Sequence, residues 1–86
     1  MEESLMEFPC SFQVKAMGLA GEDFVEHVVA LVRSHMASHE PHEVSSRPSS
    51  AGKYWSVTVT IEAQSREQID RIYQDLTDSA LVLYAL

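Results

Sequence analysis

Residues Tyr54 to Ala63 read Tyr-Trp-Ser-Val-Thr-Val-Thr-Ile-Glu-Ala, and polarity alternates along them without a break. Trp55, Val57, Val59, Ile61 and Ala63 share one side, while Tyr54, Ser56, Thr58, Thr60 and Glu62 share the other. A period of two sustained over this length predicts a strand with one face buried and one open. Its β-branched and aromatic residues suit a pleated surface, and a slip of one residue would turn Trp55 and the aliphatics outward. A similar alternation runs from Cys10 to Met17, with Phe12, Val14 and Ala16 on one side and Ser11, Gln13, Lys15 and Met17 on the other. That is the expected first strand, with Pro9 just ahead of it, where a missing N–H breaks no ladder.

Between and after these strands the period changes. From Glu22 to about Ala37, residues Phe24, Val25, Val28, Val29, Leu31, Val32 and Met36 form a broad helical stripe. Glu22 and Asp23 suit the positive end of that helix, and Ser38 to Pro41 ends it. Gly18 and Gly21 bracket its connection to the first strand. His42 to Arg47 predicts an edge strand with Val44 inward, closed by Pro48. Ser49-Ser50-Ala51-Gly52 then turns the chain into the central strand, making a hairpin. Ser65-Arg66-Glu67-Gln68 fits a capping box, followed by Ile69, Ile72, Tyr73 and Leu76 at helical spacing. Thr77-Asp78-Ser79 is expected to break this helix, and Ala80 to Leu86, apolar on both sides, to form the last strand.

The order is β-α-β-β-α-β. Right-handed crossovers and a central hairpin leave one compact solution, an α+β ferredoxin-like split β-α-β. It predicts a four-stranded antiparallel sheet of order 4-1-3-2 with two helices on one face. Residues 1–7, which include Glu2, Glu3 and Glu7, read as a flexible acidic lead-in to a single domain over residues 8–86.

Charge narrows the class of partner. Thirteen acids against six bases give a net charge of −7, which disfavours nucleic acid and anionic membranes. Cys10 is the only cysteine, so no intrachain disulfide forms, in keeping with a reducing compartment. No apolar run reaches the roughly 18–20 residues of a membrane span, and the first residues do not resemble a secretion signal. The expected location is the cytoplasm.

Several stretches carry candidate chemistry. Arg47, Ser49, Ser50, Gly52 and Lys53 place two bases, two hydroxyls and backbone N–H groups in one hairpin, a loop suited to an anion or an acidic partner. It lacks the spacing of a Walker loop. Gly18, Gly21 and Asp23 lie in the strand-to-helix connection, where backbone N–H groups at the helix start stand beside acids that favour an amine over a phosphate. On the open sheet face, Lys15, Met17, Tyr54, Ser56 and Thr58, with Leu81, Leu83 and Ala85 as an apolar strip, form a mixed contact surface. RNA binding on that face would need adjacent stacking aromatics and the opposite charge. His35, His39 and His42 fit no known metal motif and read as solvated loop histidines, so no metal and no cofactor is expected. No nucleophile, base and orienting group converge, so no enzyme is expected.

Three stretches together resemble the YbeD family of small bacterial proteins: Phe8-Pro9 with Phe12, Lys15, Met17 and Gly18; Pro48-Ser49-Ser50 with Gly52, Tyr54, Ser56 and Thr58; and Tyr73 with Leu76 before a short final strand. The likeness covers nearly all of the chain beyond residue 7, with Trp55 and Leu83 as departures that leave the fold intact. It implies a ferredoxin-like fold similar to the ACT-type regulatory domains of amino-acid metabolism, and, through gene neighbourhood, an association with lipoate attachment. It supplies no catalytic residues to carry over. The expectation is a non-catalytic ACT-like regulatory or protein-interaction module with an unknown protein partner. The alternative is a sensor binding an amino acid or related metabolite at a homodimer interface beside Gly18 to Asp23.

Overall fold

In the computed structural model, which describes residues 7–37, 40–49 and 51–85, the unbroken alternation of Tyr54–Ala63 forms the strand on which everything else is laid. In chain order the elements are β1 (Cys10–Leu19), α1 (Glu22–Arg33), β2 (Glu43–Pro48), β3 (Tyr54–Ala63), α2 (Arg66–Asp78) and β4 (Val82–Ala85). The four strands are antiparallel in the order β2-β3-β1-β4, the expected 4-1-3-2 read from the other edge. β1 and β3 pair along their whole length, from Cys10 opposite Ala63 to Leu19 opposite Tyr54.

Strand parity then decides the core. Val57, Val59, Ile61 and Ala63 of β3 and Val14 and Ala16 of β1 are buried under the helices. Phe24, Val28 and Val32 come down from α1, and Ile69, Ile72 and Leu76 from α2. Burying each such aliphatic side chain contributes about 1.5–3 kcal/mol, which holds both helices in place, including the valine-rich α1 of modest propensity. Trp55 lies on the same side but is only half buried, packed at the margin of the core. No helix among the described residues is long and apolar enough to cross a membrane.

The structure moves several boundaries. β1 runs on to Leu19 because Gly18, lacking a side chain, passes directly beneath Phe24. A Cβ there would lie 2.4 Å from Phe24 Cε1 and 2.5 Å from the Leu81 carbonyl oxygen. α1 stops at Arg33 rather than Ala37. Ser34 Oγ donates to the Leu31 carbonyl, and His35 and Met36 N–H groups reach back only three residues. This tighter winding turns Met36 into the core after the helix has ended. α2 continues through Thr77 and Asp78 to a cap at Ser79, whose N–H bonds the Leu76 carbonyl.

β4 begins at Val82, so Leu81 lies outside the sheet. Ala16 faces Ala85, Met17 faces Tyr84 and Gly18 faces Val82, leaving Leu83 as the extra residue of a bulge. The bulge inverts the expected parity. Val44 stands on the helix side, opposite Val59, yet is 41% exposed because the helices leave the β2 edge uncovered. Of the acidic lead-in expected over residues 1–7, residues 1–6 lie outside the described residues.

Candidate functional site

The side of the sheet away from the helices is laid out in cross-strand rows. One row carries Arg47, Ser56, Met17 and Tyr84 across β2, β3, β1 and β4; the next carries Ser45, Thr58 and Lys15; a third carries Glu43, Thr60 and Gln13. Of the residues expected on this face, Lys15, Met17, Ser56 and Thr58 are there, with Tyr54 at the hairpin end. The apolar strip is a correction. Ala85 faces the helix side, Leu83 is taken up by the bulge and Leu81 precedes the strand, so the aromatic on this face is Tyr84, 52% exposed. Periodicity missed it, since a bulge leaves no mark on the alternation of an all-apolar segment.

On this surface the described residues line a polar and an apolar concavity. A polar one of about 300 Å³ is lined by Lys15, Ser45, Ser46, Arg47, Ser56 and Thr58. A shallow apolar one of about 40 Å³ lies between Met17 and Tyr84. The charge around the first is distinctive in so acidic a chain. Arg33 pairs with Glu40 at 3.0 Å, Arg66 with Asp70 at 3.6 Å and Arg71 with Glu67 at 2.7 Å. Among the described residues, Lys15, Arg47 and Lys53 have no acidic partner.

Within the hairpin, Ser49 and Gly52 serve the turn itself: Ser49 N–H donates to the Tyr54 carbonyl at 2.7 Å, Gly52 N–H to the Ser49 carbonyl at 2.9 Å, and Tyr54 N–H to Ser49 Oγ at 3.2 Å. Gly52 adopts φ 74°, a conformation that suits glycine in a tight turn. Lys53 Nζ lies 5.9 Å from the centroid of the Tyr54 ring, and its carbonyl accepts the Ala20 N–H. Ser50 lies outside the described residues. Arg47 belongs to the sheet face rather than to a loop nest.

At the same end of the sheet, a groove of about 410 Å³ is lined by Leu19, Gly21, Asp23, Phe24, Leu81 and Leu83, with Ala20 and Ala80. Leu19, Leu81 and Leu83 are 61%, 50% and 54% exposed. Gly21, at φ 151°, caps α1 without a side chain, and Asp23 stands exposed at the rim. Gly18, expected to line this site, is instead sealed beneath Phe24.

Two of the histidines, His27 and His35, join the helices, while His42 is exposed as expected of a loop histidine. His35 Nε2 donates to Asp75 Oδ2 at 2.6 Å, and its carbonyl accepts from Gln68 Nε2 at 2.9 Å, so it is not the solvated loop residue expected. His27 and Ser79 share a hydrogen bond of 2.7 Å between α1 and the end of α2. His39 lies outside the described residues. Among the described residues no three His, Cys, Asp or Glu side chains gather as metal ligands. Burial pushes the Tyr73 phenol above its ordinary 10.0, and a hydrogen bond with the Lys15 backbone pulls it back in part. Its ring meets Phe12 edge-on at 6.3 Å, half-buried against the core and lining neither concavity.

The profile of a family described as a protein of unknown function, DUF493, matches residues 3–86. A UPF0250 protein of Janthinobacterium sp. (strain Marseille) is 44% identical over 84 residues, covering 98% of this chain and 92% of the relative. A UPF0250 protein of Neisseria gonorrhoeae (strain ATCC 700825 / FA 1090) is 41% identical over 83 residues, covering 96% and 91%. Among solved structures, the solution structure of protein HP0495 from H. pylori superposes with a TM-score of 0.66 at 13% identity, covering 94% of this chain and 85% of that one. At that identity the likeness speaks to the fold alone.

Proposed function

Because the chain belongs to the DUF493 family, the same family as the YbeD proteins it resembles, and that family's description carries no reaction, we propose a role from its own surface: a non-catalytic, ACT-like regulatory module of the cytoplasm that contacts a protein partner through its open sheet face. The observation that carries this reading is Tyr84, 52% exposed and opposite Met17 on a face no helix covers. An aromatic and a methionine ringed by hydroxyls and charges have the make-up of an interface centre with a polar rim. Neither concavity unites a nucleophile with a base, which favours binding over catalysis.

The test is affinity capture from cell extract with the wild-type chain and a Met17→Glu/Tyr84→Ser variant whose melting temperature is checked first. A partner retained by the wild type and lost by the folded variant is expected. Identical capture by both, or no specific partner for either, defeats the reading.

A second reading draws on the end groove, where the Asp23 carboxylate sits at the rim of an apolar floor. That pairing suits an amine with an apolar tail, such as an amino acid, and a homodimer would close the groove from the other side. A thermal-shift screen of amino acids and lipoyl metabolites separates the two. A sensor gains stability by RT ln(1 + [L]/Kd), about 2.7 kcal/mol at a hundredfold excess over Kd, and loses that gain in Asp23→Asn. A pure adaptor gives a flat response.

A further inference from the structure

We propose that the polar concavity between Lys15 and Arg47 on the open sheet face binds a phosphate monoester. This goes beyond the partner-contact reading and does not depend on it. The starting point is the distribution of charge. Three of the six bases lack an acidic partner among the described residues, and two of these three, Lys15 and Arg47, line the same concavity of about 300 Å³. They approach from opposite sides of β3, Lys15 opposite Thr58 and Arg47 opposite Ser56. Their backbones stand about 12 Å apart, two strand spacings across and two residues along β3, a gap both long side chains can close onto an ion seated over that strand. Two unpaired cations facing one cleft repel each other when it is empty, and an anion between them removes that repulsion.

The hydroxyls specify which anion. Ser45, Ser56 and Thr58 lie on the same face, each fixed by strand pairing, and each offers an O–H donor. A carboxylate has one charge and two oxygens, and would leave one base and most hydroxyls unmet. A phosphate monoester carries close to two charges near neutral pH and three terminal oxygens, matching two bases and the hydroxyl row. The Arg47 guanidinium adds a planar fork suited to two of those oxygens.

Selectivity against larger anions follows from the surroundings. The chain carries a net charge of −7, and Glu43 lies on the same face two residues beyond Ser45, with Glu62 further along β3. A polyanion such as nucleic acid would run into these acids, whereas a compact phosphoryl group meets only the basic cleft. No histidine, cysteine or carboxylate lines the cleft, so its residues hold a phosphoryl group without a base to activate an attacking group.

Phosphate monoesters come as small metabolites or as phosphorylated side chains of a protein, and the test tells them apart. The wild-type chain is titrated at constant ionic strength with phenyl phosphate, and separately with a phosphoserine peptide, following backbone amide resonances. Sodium chloride is the control. Saturable shifts centred on Lys15, Ser45, Arg47, Ser56 and Thr58 are expected. Lys15→Gln and Arg47→Gln should each weaken binding about tenfold, and the double variant should abolish it, because each removes a charge-assisted hydrogen bond. A peptide bound tenfold or more tightly than phenyl phosphate assigns a phosphoprotein; comparable affinities assign a metabolite. Shifts that do not saturate, that appear equally at Arg66 and Arg71, or that survive in the double variant overturn the proposal. The partner-contact reading fails separately: Tyr84→Ser should leave the phosphate titration unchanged while removing a captured partner.

Discussion

At the scale of single residues, the most constrained position is Gly18. Its place beneath Phe24 and against the Leu81 carbonyl leaves no room for a methyl group, since the hypothetical Cβ would sit 2.4 Å and 2.5 Å from them. Backbone cannot yield as a flexible side chain does. Gly18→Ala should therefore destabilise the fold by about 1–3 kcal/mol, the usual range for overpacking. Urea unfolding should show a lower midpoint at unchanged slope. A variant as stable as wild type would mean that Phe24 swings aside freely. The chain's glycines marked turns well enough, but the need for glycine here comes from a residue six positions away and another sixty-three away. No local pattern carries that information.

At the scale of elements, the start of α2 shows how far a motif can be read. Ser65 Oγ accepts the Gln68 N–H at 3.1 Å, as a capping box requires. The return bond differs: Gln68 Oε1 takes the Gln64 N–H at 2.7 Å, one residue earlier than the standard box, while its amide nitrogen donates to the His35 carbonyl at 2.9 Å. One side chain thus caps α2 and ties it to the turn after α1. Ser65→Ala should cost about 1 kcal/mol. Gln68→Ala should cost more, and Gln68→Glu should fall between Gln68→Ala and wild type, since it keeps the acceptor and loses the donor. Chemical denaturation of the three variants checks the order. Equal losses for Gln68→Glu and Gln68→Ala would assign the whole effect to the His35 contact. The helix stripes at Phe24, Val28 and Val32 and at Ile69, Ile72 and Leu76 were legible because one face of each helix meets the sheet. β4 was not, because apolar residues on both sides erase the period that a bulge interrupts.

At the scale of the whole molecule, α2 is joined to the sheet partly through Tyr73, packed edge-on to Phe12 and hydrogen-bonded near Lys15. Burial favours the neutral phenol in the fold and raises its pKa above 10.0. A raised folded-state pKa gives stability that is full below the unfolded value and fades as pH climbs through the folded one. Wild type should therefore lose stability relative to Tyr73→Phe as pH climbs above 10.0, read by melting temperature. A gap that stays constant would place the phenol in contact with water in the native state. The same packing leaves the opposite sheet face bare, and there Lys15, Arg47, Met17 and Tyr84 come together from three strands.

What the amino-acid order by itself determined was the set of elements, the sheet order and the side of β3 that faces the helices, because each rests on periodicity within about ten residues and on chain-crossing rules of general force. What only the tertiary structure decided was which distant groups meet. Arg47 left the hairpin group to face Lys15, Tyr84 replaced Leu81 and Leu83 on the open face, and His35 found Asp75. Those outcomes depend on one bulge, one helix ending early and one glycine under an aromatic ring. Each is a packing event between segments far apart in the chain, where a shift of a single residue changes the neighbour without changing the local pattern.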